Sequence, residues 1–146
     1  MQLTKHTDYA FRVLMYLTTK GKEELSTIKE VTKAFDISRD HVMKIVQKLA
    51  KEGYIESIRG KQGGMRLGKE AKEINLREIV TLMEKTLSPA NCSEAFCKIA
   101  SNCTLANILF EAQEKFMAHL EQYTLADLAQ PNTQTMHLIQ NLLAKK

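Results

Sequence analysis

The sequence has no tryptophan, only two prolines and only three cysteines, and all three cysteines fall within "NCSEAFCKIASNC", residues 91–103. An odd, clustered set of thiols is not the disulfide framework that staples small secreted domains. Long apolar runs are also missing. The stretch "AFRVLMYL" is cut by Arg12 and lacks a small-residue cleavage site, so neither a membrane span nor a secretory leader is expected, and a cytoplasmic protein is. No catalytic constellation stands out: the four histidines are scattered and no spacing suggests a nucleophile–base pair, so no enzyme is expected.

What is present describes an ordinary soluble chain of 146 residues, 44% hydrophobic and 26% charged, enough for one domain or a small domain with a helical extension. Its net charge of +4 is unevenly spread. Residues 1–68 carry 13 Lys/Arg against 8 Asp/Glu, a net of +5, whereas residues 69–146 carry 8 against 9. A basic first half is the weak footprint of a polyanion binder, and a solvated basic surface explains the charge equally well.

The first half reads as short helices followed by a hairpin. In "TDYAFRVLMYLTTKG", Thr7 or Asp8 is placed to cap a helix in which Ala10, Val13, Leu14 and Leu17 form one stripe. Thr27 and Glu30 form a capping-box pattern for a second helix from about Ile28 to Phe35. After "DISRD", Ser38 is suited to cap a third, with Val42, Ile45, Val46 and Leu49 on its buried face and Gly53 at its end. A turn of about three residues between the last two is the spacing of a helix-turn-helix, though a plain helical hairpin has it too.

The next segment decides between them. "YIESIRGKQGGMRLG" reads as two strands, Tyr54–Arg59 and Met65–Leu67, around a glycine-rich turn. A basic hairpin directly after a helix-turn-helix makes a winged helix. From Arg39 to Arg66 there are seven Lys/Arg against three acids. On the polar face of the third helix, Arg39 and Lys44 have donors for guanine edges, Asp40 an acceptor for cytosine, and Lys48 a reach to phosphates. His41 shares that face but also suits a capping turn, while Arg59, Lys61 and Gln62 sit on the wing, where a minor groove would lie.

The second half is helical. Asn75 is placed to cap "LREIVTLMEKTL", with Glu78 at the third position and Ile74 and Ile79 as a staple. After the cysteines, "TLANILFEAQEKFMAHLEQY" puts Leu105, Leu109, Ala112, Phe116, Leu120 and Tyr123 on one stripe, with Ile108, Phe110 and Met117 on other faces. So much apolar surface on one long helix calls for a partner helix. Pro131 opens a short tail with little pattern of its own.

The cysteine spacing is Cys92-x4-Cys97-x5-Cys103. Structural zinc sites favour CxxC pairs and four ligands, which this loop does not provide. Iron–sulfur clusters are thiolate sites that tolerate irregular loops, and three thiolates with one oxygen or nitrogen ligand would complete such a site. Three buried, inert thiols is the plainer alternative; their exclusive clustering among Asn, Ser, Glu and Lys argues for chemistry, without naming the metal.

With these segments in place the whole chain resembles one family, the winged-helix iron–sulfur repressors of bacteria, and most closely their nitric-oxide-sensing NsrR branch. The likeness runs through "MQLTKHTDYAFRVLMYL", "ISRDHVMKIVQKLAKEGYIESIRGKQGGMRLG", the cysteine loop and "YTLADL". It implies a mainly α fold with a small β-wing, divided into a winged helix-turn-helix at 1–70 and a cluster loop with dimerisation helices at 71–146. It also implies a homodimer on an inverted-repeat duplex operator and one cluster per subunit, [2Fe–2S] or [4Fe–4S], held by Cys92, Cys97 and Cys103. Nitric oxide would be the signal. Cluster-biogenesis regulators of the same family carry a histidine three residues after the last cysteine, where this chain has Ala106. Some relatives draw a fourth ligand from the partner's first helix, a place Asp8 occupies here. The alternatives are an iron-status or cluster-biogenesis regulator of the family, a redox protein that does not bind DNA, or a cluster-free thiol switch.

Overall fold

A computed structural model describes residues 2–92 and 97–144. Its elements run α1 (Lys5–Lys20), α2 (Ile28–Phe35), α3 (Arg39–Lys51), β1 (Ile55–Ile58), β2 (Gly64–Leu67), α4 (Leu76–Met83), α5 (Thr104–Glu121), α6 (Leu125–Leu128) and α7 (Gln134–Ala144). This is the expected mainly helical architecture with a two-stranded antiparallel wing, Ile55 opposite Leu67 and Ile58 opposite Gly64.

The helix-turn-helix forms as the local signals require. Thr27 accepts the Glu30 N–H while the Glu30 carboxylate takes the Thr27 N–H, which fixes the start of α2. Asp36 turns the chain in the left-handed region at φ 52°, and Ser38 then caps α3 by accepting the His41 N–H. Val42, Ile45, Val46 and Leu49 all face the core, where they meet Ala10, Val13, Leu14 and Leu17 of α1. Each of these valine, leucine and isoleucine side chains stabilises by about 1.5–3 kcal/mol through burial alone. The wing is sewn to the rest by two backbone bonds between Ser26 and Met65, of 2.9 and 2.8 Å. Gly64 permits this approach: a Cβ there would stand 2.8 Å from the Ser26 carbonyl oxygen.

Several expectations are corrected. Helix α1 begins at Lys5, so neither Thr7 nor Asp8 is its cap; Thr4 holds that position without a side-chain cap bond of its own. The capping group arrives from elsewhere: the Glu84 carboxylate accepts from the Thr4 N–H, the Thr4 hydroxyl and the Thr7 hydroxyl. Because Glu84 is drawn there in an extended conformation, α4 stops at Met83 rather than running on toward Leu87. Asn75 does cap α4, through the Arg77 N–H, but Glu78 does not turn back to complete a box. It accepts the Tyr54 hydroxyl at 2.9 Å instead, linking α4 to the wing.

Helix α5 also differs. Met117 is its fully buried residue, whereas Leu105, Ile108 and Phe110 are 63%, 58% and 41% exposed. Of the expected stripe, Leu105 and Tyr123 are exposed while Leu109, Phe116 and Leu120 are half-buried, so the open apolar surface is concentrated at the start of the helix. The segment after Pro131, read as a tail, folds as α7 and buries Met136 and Ile139 against α1 and α2. One continuous core thus joins residues from both sides of position 70.

Candidate nucleic-acid interface and cysteine loop

Helix α3 offers its polar face to solvent because its apolar stripe is fully used by the core. Arg39, Asp40, His41 and Lys44 are exposed and Lys48 is half-buried along its stem. Arg59, Lys61 and Gln62 are exposed on the turn joining β1 to β2. Helix and wing border one open cavity of about 650 Å³, lined by Arg39 and Val46 from α3 and by Ser57, Ile58 and Gly60 from the wing. The start of α2 closes its third side with Ser26, Thr27 and Lys29.

His41 has a structural task. Its Nδ1 lies 2.9 Å from the Ser38 hydroxyl, and its ring meets those of His6 and Tyr9 at 6.1 Å. The α3 start is thereby tied to α1. Asp8, in the first turn of α1, pairs with Arg12 at 2.8 Å, and the Arg12 guanidinium sits 5.8 Å from the centre of the Tyr9 ring. Both members of that ion pair remain about half exposed, so Asp8 is open to a second partner.

The cysteine loop joins α4 to α5, and its two ends are held differently. At the near end Glu84 caps α1, with the burial that pushes its carboxyl up outweighed by the Thr7 and Thr4 hydrogen bonds, which hold it below the ordinary value. At the far end Cys103 is itself the N-cap of α5, its Sγ accepting the Ala106 N–H at 3.4 Å. Cys97 is exposed, Cys92 half-buried, and all three thiols are free. Residues 93–96, inside the loop, lie outside the described residues. Among the described residues no three His, Cys, Asp or Glu side chains converge as a metal-binding group. The donor set still fits an iron–sulfur cluster in kind: free thiols on one loop, one of them at a helix start.

Sequence reasoning missed Ser26, Lys29 and Glu84, which carry no local signal of their own, and it missed the Tyr54–Glu78 link, whose partners are too far apart for a pattern to reveal.

A winged helix with a basic recognition face defines a DNA-binding transcriptional regulator. Comparison with known proteins carries this further. The profile of the Rrf2 family, described as iron-dependent transcriptional regulators, matches residues 3–131, and the chain belongs to that family. Among solved structures it is similar to CymR (YrzC), the global cysteine regulator of B. subtilis, with 25% identity over 91% of this chain and 99% of that one, at a TM-score of 0.68. It shares the fold of oxidized Staphylococcus aureus CymR (22% identity, 89% and 97% covered, TM-score 0.73). T. potens IscR has it too (20%, 94% and 96%, TM-score 0.72). Among the described residues no helix is long and apolar enough to cross a membrane.

Proposed function

We propose that this regulator is a homodimeric repressor that reads an inverted-repeat operator and releases it when an iron–sulfur cluster on Cys92, Cys97 and Cys103 is damaged by nitric oxide. The observation that carries the reading is the position of the cysteine loop. It sits between the Glu84 cap on α1, which packs against α3, and the Cys103 cap on α5, which carries the exposed Leu105 and Ile108. A change in loop order would therefore act on the recognition helix and on the dimer helix together. The nitric-oxide signal is supported by the resemblance of the loop and its flanking segments to the nitric-oxide-sensing branch.

When bound, the cluster supplies iron open to attack by nitric oxide. The chain's own residues do the rest. Three thiolates would hold the group, and Asp8 of the partner subunit would complete it as a carboxylate, a harder and weaker ligand for iron than sulfur. Arg39, Asp40 and Lys44 face base edges, His41 positions the start of α3, and Lys48, Arg59, Lys61 and Gln62 meet backbone or minor groove. The test is anaerobic absorption and iron content of the purified protein before and after nitric oxide, with Cys97→Ser as control. A Cys97→Ser protein that keeps full visible absorbance would argue against the three-thiolate site.

A second reading, a cluster-free thiol switch, is favoured by one observation: the exposed free thiol of Cys97 beside a relative named as a cysteine regulator. Iron-free protein that represses fully, and loses operator on oxidation of Cys97, would establish it instead.

A further inference from the structure

The start of α3 is braced from outside the helix-turn-helix. Ser38 caps the helix, and its hydroxyl also lies 2.9 Å from Nδ1 of His41. The His41 ring meets two rings of α1, those of His6 and Tyr9, each with its centre 6.1 Å away. Arg39 and Asp40, the first two residues of α3, stand between the cap and this contact.

Those two rings belong to a part of α1 that its apolar stripe does not anchor. The stripe begins at Ala10; ahead of it the buried residue is Thr7, whose hydroxyl needs a partner. Glu84 provides it. One carboxylate oxygen accepts the Thr7 hydroxyl, the Thr4 hydroxyl and the Thr4 N–H, and the Thr4 carbonyl accepts the N–H groups of Thr7 and Asp8. Glu84 is the first residue after α4, and the chain runs on from it into the cysteine loop. The other end of the loop has no such reach, because α5, capped by Cys103, packs chiefly on α4.

We infer that Glu84 is a positioning residue for operator reading, and that the state of the cysteine loop reaches α3 through it. By holding residues 4–8 it sets where His6 and Tyr9 stand. Those rings set His41, and His41 sets how Arg39 and Asp40 project. If the loop relaxes and draws Glu84 away, the first turn of α1 loses three hydrogen bonds at one atom. Helix α3 then keeps its core packing through Val42, Ile45, Val46 and Leu49 but loses the brace at its start. Base reading suffers, while phosphate contacts farther along the helix and on the wing do not. This deepens the cluster-gated reading and rests on it.

The test uses the full-length, anaerobically loaded protein, the tightest duplex it selects from a random pool, and a scrambled duplex. Glu84→Ala should keep the visible absorbance and iron content of wild type, bind the selected duplex about tenfold more weakly, and bind the scrambled one unchanged. Glu84→Gln, which retains an accepting oxygen, should recover most of the loss. Glu84→Ala added to His41→Ala should cost nothing further, because the two act in series. Removing the cluster should weaken wild type on the selected duplex and leave Glu84→Ala nearly unchanged. Wild-type binding by Glu84→Ala, equal losses on both duplexes, or losses that add to those of His41→Ala overturn the proposal. A Glu84→Ala protein that keeps the full difference between loaded and cluster-free forms overturns it too. Should Glu84→Ala not fold, Thr7→Val removes one of the three bonds at the same shape, and the same outcomes decide. If wild type binds the selected duplex equally with and without cluster, the cluster-gated reading itself falls.

Discussion

The Thr7 hydroxyl donates to the Glu84 carboxylate at 2.5 Å, joining the first turn of α1 to the last residue before the cysteine loop across 77 positions. Thr4 adds its N–H at 2.7 Å and its hydroxyl at 3.1 Å to the same oxygen. A helix whose own cap residue makes no side-chain bond to the helix backbone thus takes its cap from the segment that leads to Cys92.

Glu84→Gln keeps the shape and removes the charge, so it should cost about 1 kcal/mol near neutral pH. The hydrogen bonds hold the folded carboxyl below its ordinary 4.5. Its contribution is therefore fully present above that value and lost as pH falls through the lower folded one. Urea unfolding on stepwise acidification should show the gap between wild type and variant closing; a gap of constant size would contradict the assignment.

Tyr54 makes the opposite case at alkaline pH. Burial, then its bond to Glu78, pushes the phenol up to about 12, and Lys69 lies 4.2 Å above its ring. A raised value means stability present below 10 and lost as pH rises toward 12. Tyr54→Phe should lose about 1 kcal/mol at neutral pH and be less sensitive to alkali. Equal alkaline sensitivity in both proteins would show that the wing link does not govern this limb.

The exposed apolar side chains at the start of α5 predict association through that helix. Leu105 and Ile108 stand 63% and 58% exposed, too much apolar surface in one place to leave in water. Ile108→Asp should yield monomers in sedimentation velocity while circular dichroism stays unchanged. A variant that sediments like a wild-type dimer would put the interface elsewhere.

On DNA, Arg39→Ala or Lys44→Ala should cost about 1–3 kcal/mol and relax preference at one base position. Lys48→Ala should weaken all sequences alike and reduce the salt slope. Wild-type binding by both Arg39→Ala and Lys44→Ala would mean that another surface meets the groove.

Much of this architecture was legible in the residues. The capping box at Thr27 and Glu30, the Ser38 cap and the Val42–Leu49 stripe are local signals, and α2 and α3 form where those signals put them. The failures share a cause: they depend on partners distant in the chain. Glu84 leaves its helix to cap another, Glu78 prefers Tyr54 to its own backbone, and α7 orders by burying Met136 and Ile139 on α1 and α2. At the site, exposed positions followed from periodicity. Ser26 did not, because an orphan hydroxyl becomes visible only when its whole surroundings are known.

The central claim is that the state of the cysteine loop sets operator affinity, and operator titration of holo, apo and nitric-oxide-treated protein tests it most directly. Holo protein should bind tightest, by about 5–150-fold over the other two forms, the usual range of coupling between two sites. Asp8→Ala should still take up a cluster but bind operator more weakly and respond differently to nitric oxide. Equal affinity in all three forms would contradict the account.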